Sequence, residues 1–283
     1  MNKREERELM IQRILVALDA SPHSLAALEA AVELAGRFRA ELLGLFVEDV
    51  NLLRLAELPF AQEIGFFSAT RRKLDTQRME RQFRGQAARI RRALELIAER
   101  TQVDWSFRVA RGVIASELLT AASEVDLIIL GRGGWSLTQR RRLGSTARAI
   151  LSETPCLALI LRQGTYLELP MLVVYDGSPL AQKGLATAAA LVQGEDGDLT
   201  VLVLADEPDM AHRLQRQAAE WLQGRGVNVR YRPLTKLSVP RLAHIVRTEG
   251  RGTLVLPARS ALLQDEVLLA LLDEVEMPVL LVR

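Results

Sequence analysis

Short, uniformly apolar runs punctuate the chain, separated by longer stretches whose apolar residues recur every three or four positions. A run that is apolar at every position reads as a strand buried on both faces, and a period near 3.6 reads as a helix with one buried stripe. Residues 14–18, 42–47, 126–130 and 157–162 are such runs apart from Gly44, Asp126 and Arg162, and the alternating Val103-Asp104-Trp105-Ser106-Phe107 is a fifth strand candidate. Residues 25–38 have helical spacing and are rich in alanine, which favours a helix between the first two strands. Residues 147–152 read as a helix before the last strand.

The pattern then begins again. Ile14-Leu15-Val16-Ala17-Leu18-Asp19-Ala20-Ser21-Pro22 is echoed at an offset of 157 by Met171-Leu172-Val173-Val174-Tyr175-Asp176-Gly177-Ser178-Pro179. Residues 199–204 answer 42–47 at the same offset, and residues 182–192 answer the first helix. The offset shortens to 124 for residues 227–231 and to 126 for residues 252–256, and residues 279–283 answer 157–162. Apolar strands alternating with amphipathic helices predict an α/β fold, here two tandem domains, each a five-stranded mostly parallel sheet flanked by helices. The domains span residues 1–163 and 164–283, joined by a linker over residues 163–170. The two final strands are candidates to pair within one molecule as a pseudo-dimer, and a further homodimer stays open.

The change of offset leaves 33 extra residues in the first domain, between its second and third strands. Leu74, Met79, Phe83, Ala87, Ile90, Leu94 and Ile97 make one stripe of a long amphipathic helix. Residues 50–70, broken by Pro59 and Gly65, read as a loop with short turns. Residues 71–100 hold ten Lys+Arg against four Asp+Glu. The net charge of +2 is therefore an average: residues 1–163 carry +5 and residues 164–283 carry −3. The basic stretch, 71–92, lacks interleaved aromatics, so a solvated or interdomain face is expected there rather than a nucleic-acid surface.

Composition narrows the class. Apolar residues at 49% and charged residues at 25% exclude wholesale disorder, and aromatics at 5% leave a core of Leu, Val, Ile and Ala. The lone Cys156 cannot form an internal disulfide, and its strand position marks it as core. The start lacks an apolar signal region, and no apolar run reaches membrane-spanning length. A cytoplasmic protein that does not engage membranes is the expectation.

The candidate chemistry sits after the fourth strand. Gly131-Arg132-Gly133-Gly134 is followed, after residues 135–143, by Gly144-Ser145-Thr146 at the start of a helix. Glycines at 131 and 134 let backbone approach an anion and permit positive φ. A helix N-terminus offers free N–H groups and a favourable dipole, and Ser145 and Thr146 add hydroxyl donors. Asp19 ends the first strand at the same sheet edge, where its carboxylate can accept from a ribose or adenine group between the apolar walls of Ala17 and Val47. Capping the following helix is the rival role for Asp19.

The spacing G-x2-G-x9-G-[S/T], with Leu15-Val16-Ala17-Leu18-Asp19-Ala20-Ser21 before it and Thr154-Pro155-Cys156 after it, resembles the universal stress protein family. The resemblance covers both repeats and leaves out residues 50–85 and the first dozen. It implies Rossmann-like domains binding ATP, ADP or AMP, with Mg2+ or Mn2+ bridging the phosphates and few protein ligands to the metal. Asp19 and Val47 would then contact adenine and ribose, and Ala17 and Leu130 would line the base pocket. Gly131, Gly133, Gly134, Gly144, Ser145 and Thr146 would hold the phosphates. The second domain departs from this pattern: Pro257-Ala258-Arg259-Ser260 has no glycine, and Val267 and Leu268 stand where Gly144 and Ser145 stand. It is expected to bind no nucleotide by this route.

Arg132 and Arg140-Arg141-Arg142 are either phosphate clamps or solvated loop charges, and Trp135 either shields a ligand or covers its own loop. His23 lies close enough in sequence to Asp19 to reach phosphates, although a histidine at a helix start is more often structural. His23, His212 and His244 lack metal spacing. The motifs G-x4-G-K-[S/T], H-E-x-x-H and G-x-S-x-G are absent, and no catalytic residue is assigned. The expected function is a nucleotide-binding stress-response protein whose second domain is structural or regulatory, with a protein partner the sequence does not identify. The alternatives are a slow ATPase or nucleotidyl-transferring enzyme, and a nucleotide-free interaction module.

Overall fold

A computed structural model describes residues 11–64, 71–133, 143–162, 165–192, 198–235, 238–249, 251–258 and 265–283. The first half runs β1 (Arg13–Leu18), α1 (Pro22–Phe38), β2 (Glu41–Asp49), α2 (Val50–Glu57), β3 (Gln62–Ile64), β4 (Arg71–Lys73), α3 (Thr76–Thr101), β5 (Trp105–Gly112), α4 (Ile114–Ala122), β6 (Leu127–Gly131), α5 (Ser145–Glu153) and β7 (Leu157–Leu161). The second half runs β8 (Met171–Tyr175), α6 (Pro179–Val192), β9 (Asp198–Ala205), α7 (Pro208–Leu222), β10 (Asn228–Thr235), α8 (Val239–Glu249), β11 (Thr253–Pro257), α9 (Asp265–Glu274) and β12 (Val279–Val282). The linker position 163–164 lies outside the described residues.

Ten strands join in one sheet, ordered β10-β9-β8-β11-β12-β7-β6-β1-β2-β5. Each half contributes five parallel strands, with its first strand in the middle and its third at the outer edge. The halves meet at an antiparallel seam in which Val279, Leu280 and Leu281 of β12 face Ile160, Leu159 and Ala158 of β7. The tandem α/β architecture expected from the repeat is thus present, with the two sheets fused into one.

Alternation along each strand sends residues to opposite faces. Ile14 and Val16 enter a core with Leu28 of α1, Ile90 of α3, Leu185 of α6 and Leu222 of α7. Leu15 enters another with Leu118 of α4, Ile150 of α5, Leu242 of α8 and Leu271 of α9. Both cores draw on both halves, so neither half ends at the seam. The edge strand β5 is only partly buried and carries Arg108 and Arg111, charges that discourage pairing with another chain.

The insert departs from its sequence reading. Residues 50–57 form α2 rather than a loop, because Asp49 caps it by accepting from Asn51 N–H at 2.9 Å, and Leu53 and Ala56 are buried. Residues 62–64 and 71–73 pair as an antiparallel hairpin. The basic stretch is therefore divided: Arg71, Arg72 and Lys73 belong to β4, and the helix begins only at Thr76, after its cap Asp75. Leu74 precedes the helix, whereas Phe83, Ala87, Ile90 and Leu94 form the buried stripe. Among the described residues, no helix is long and apolar enough to cross a membrane.

Candidate functional site

β1 and β6 are neighbours in the sheet, but the helices that follow them pack on opposite faces. Such divergence opens a crevice at the carboxyl ends of the strands. There the protein has a cavity of about 330 Å³, within the usual range for a small-molecule site. Ala17, Asp19, Val47, Leu130, Gly131, Gly133, Gly144, Ser145 and Thr146 all line it. Gly134, Trp135 and Arg140, Arg141 and Arg142 lie outside the described residues. The wall also includes Leu45, Ile114 and Leu118, which the sequence reading missed. Their signal was present: Ile114 and Leu118 are one turn apart at the start of a helix following a strand.

The cavity wall is chemically mixed. Leu45, Val47, Ile114, Leu118 and Leu130 supply apolar side chains. The N-terminus of α5 also reaches the wall; its cap is Gly144, with φ −62° and no side-chain hydrogen bond onto the first turn. The first-turn N–H groups are therefore left without a side-chain cap, beside the Ser145 and Thr146 hydroxyls. The helix N-terminus suits an anion, and the apolar side chains suit a flat apolar group.

The glycines are there for different reasons. A Cβ on Gly131 would lie 2.9 Å from the backbone carbon and oxygen of His23, so this glycine lets α1 pack against β6. Its φ is not positive, contrary to the sequence expectation, because close packing and not a left-handed turn is what requires it. A Cβ on Gly144 would meet only Arg132 O, at 3.7 Å, an ordinary contact. The protein's own packing does not demand glycine at 144.

Asp19 is not the helix cap. Ser21 caps α1, its Oγ accepting from Ser24 N–H at 3.2 Å, while Asp19 Oδ1 accepts from Ser21 N–H at 2.9 Å. The turn between them places Ala20 at φ 62°, a left-handed value uncommon outside glycine, and Gly177 takes the equivalent place at φ 80°. Asp176 and Ser178 repeat the same hydrogen bonds in the second half. His23 stands behind the Gly131–Gly133 backbone, and its buried Nδ1 has no hydrogen-bond partner. Burial pushes its pKa down, Asp19 pulls it up, and Arg162 adds to the lowering.

Arg132 also lines the cavity, but it is not a solvated loop charge. It is 6% exposed and crosses to the second half, where Nη2 donates to Asp273 O at 2.7 Å and Nη1 to Val275 O. The C-terminal carbonyls of α9 attract it, as a helix C-terminus attracts cations. Val267 and Leu268 lie inside α9 and not at its N-cap, because α9 already starts at Asp265. Leu268 is buried in the core there. Cys156 is buried beside Thr154, and burial pushes its thiol pKa up, which suits a core residue.

A tandem α/β protein with a crevice at the β1/β6 switch point is the class that fold and site define. Within that class, the sequence profile of the universal stress protein family matches residues 10–162, and the chain belongs to this family. A universal stress protein of Methanocaldococcus jannaschii is 27% identical over 158 residues, covering 55% of this chain and 85% of that one. The crystal structure of a universal stress protein from Archaeoglobus fulgidus superposes with a TM-score of 0.75 at 17% identity, covering 95% of this chain and 97% of the other. One from Pseudomonas aeruginosa gives 0.65 at 16% identity, covering 97% and 94%. These two show the same fold along almost the whole chain.

Proposed function

We propose that the first half binds an adenine nucleotide, ATP or its ADP or AMP products, and that the protein acts as a nucleotide-dependent stress-response factor in the cytoplasm. One observation carries the reading. Residues 17, 19 and 47 are far in sequence from 130–133 and 144–146, yet all of them line one crevice whose wall combines apolar side chains with a helix N-terminus. In this reading the base lies among Ala17, Val47, Leu45 and Leu130, and Asp19 accepts from a ribose or base donor. The phosphates meet the N-terminus of α5, Gly131, Gly133, Gly144, Ser145 and Thr146. Mg2+ or Mn2+ would neutralise phosphate charge, and among the described residues lining the cavity Asp19 is the one carboxylate. Turnover of ATP, resting on positioning and charge neutralisation alone, would be slow.

Calorimetric titration with ATP and Mg2+, together with mass spectrometry of any ligand released from purified protein, tests the reading. Saturable binding that Gly144→Val abolishes without unfolding the chain supports it. No binding of ATP, ADP or AMP by the wild-type chain refutes it.

A further inference from the structure

The crevice lies in the first half, yet its phosphate end is held by the second. Asp273, in the last turn of α9, accepts Leu143 N–H on Oδ1 at 2.7 Å and Arg148 Nη2 on Oδ2 at 2.6 Å. Arg148 Nε returns to Leu143 O at 3.2 Å, so both polar groups of the Leu143 backbone are held. The carbonyl of the same Asp273 receives Arg132 Nη2 at 2.7 Å. Gly144 N–H in turn donates to Arg132 O at 3.1 Å, and Arg132 N–H to Leu161 O at 2.7 Å. One residue of the second half thus grips residues 132 and 143, which flank the stretch between β6 and α5. Gly144, the cap of α5 and part of the cavity wall, is tied to both.

We propose that Asp273 is a positioning residue for the nucleotide site: it fixes the register of Leu143 and Gly144, and so aims the N-terminus of α5 at the phosphates. The identity of the ligand rests on the nucleotide reading above, whereas the grip itself rests on the hydrogen bonds just given. A cradle of N–H groups works only while its donors stay within a fraction of an ångström of their places. The charge-assisted bonds of Asp273 supply that constraint from outside the half that binds. The repeat places Ala258 where Arg132 stands, so this particular contact has no mirror image, although Arg283 of the second half donates to Leu151 O in the last turn of α5. By linkage, a ligand that favours the gripped arrangement also favours the contact between the halves. The half without a glycine motif therefore sets the affinity of the half that has one.

The test compares the full-length wild type with Asp273→Ala, Asp273→Asn and Arg148→Met, the last removing a single arm of the grip. Two controls accompany them. Glu274→Gln neutralises the adjacent exposed carboxylate, and Ser178→Ala removes the α6 capping hydroxyl and lowers stability away from the site. Titration with ATP and Mg2+ should show affinity about tenfold weaker in Asp273→Ala, with a smaller loss in the other two grip variants and none in the controls. In the free protein, amide exchange at Leu143 and Gly144 should quicken by a similar factor in Asp273→Ala. Wild-type affinity in Asp273→Ala, or an equal loss in Ser178→Ala, overturns the positioning role while leaving the nucleotide reading intact. A wild-type chain that binds no adenine nucleotide overturns both.

Discussion

Two glycines that look alike in sequence should respond oppositely to the same methyl group. In Gly131→Ala the new Cβ falls 2.9 Å from the backbone of His23, and backbone cannot step aside as a flexible side chain can. Either α1 or β6 must shift by several tenths of an ångström within a packed core. Overpacking of this kind costs about 1–3 kcal/mol. For a chain of this length that corresponds to a fall in the thermal midpoint of about 2–6 °C. In Gly144→Ala the new Cβ has ordinary clearance at 3.7 Å and φ is −62°, so the cost is that of a poorer helix cap, about 0.5–1 kcal/mol. Its midpoint should stay within about 2 °C of wild type. ATP binding should reverse the order, with Gly144→Ala losing about tenfold or more because its methyl stands where the phosphates meet α5. Differential scanning calorimetry with and without ATP and Mg2+ measures both effects. Equal destabilisation by the two substitutions would refute the division between a packing glycine and a ligand glycine.

Three further outcomes follow from the same geometry. His23 has a folded pKa below its unfolded value near 6.5, so the unfolded chain binds a proton the folded chain resists; stability should fall as pH drops through about 6.5 and should not change on this account above about 7.5. Urea midpoints from pH 8 to 5.5 should show a shallower decline in His23→Gln than in wild type, and parallel curves would remove His23 as the cause. Ser21→Ala deletes a buried capping hydroxyl and should lower stability by about 1 kcal/mol, whereas Asp19→Asn keeps an oxygen for Ser21 N–H and should unfold near the wild-type midpoint. Leu159→Ala, at a fully buried position on the seam, should cost about 2–5 kcal/mol and should destabilise both halves in one transition; two separate transitions would show that the halves unfold independently.

The repeat was legible because buried strands must be apolar at every position, and residues 14–18 and 171–175 satisfy that requirement in the same way. The cavity lining was largely legible because glycines, a small apolar residue and an acid follow strands at the sheet edge where α/β ligand sites form. Other features depended on contacts between residues remote in the chain. Residues 50–57 looked like a loop because a helix of eight residues offers little periodicity, and its stability comes from packing Leu53 and Ala56. Arg132 looked like an exposed loop charge because nothing adjacent to it shows that a helix C-terminus 141 residues away accepts its protons. Helix α9 begins earlier than its alignment to α5 suggested, since the two loops that precede these helices differ in length.

The antiparallel seam between β7 and β12 has an evolutionary consequence. In a dimer of identical chains, every substitution enters both subunits at once, so a site cannot be lost on one side and kept on the other. Here each side of an equivalent pairing has its own codons. Arg132 and Ala258 therefore differ freely, as do Gly131 at the end of β6 and Pro257 at the end of β11. Covalent linkage also makes the pairing independent of protein concentration, so dilution cannot separate the half with the glycine motif from the half that holds its loop.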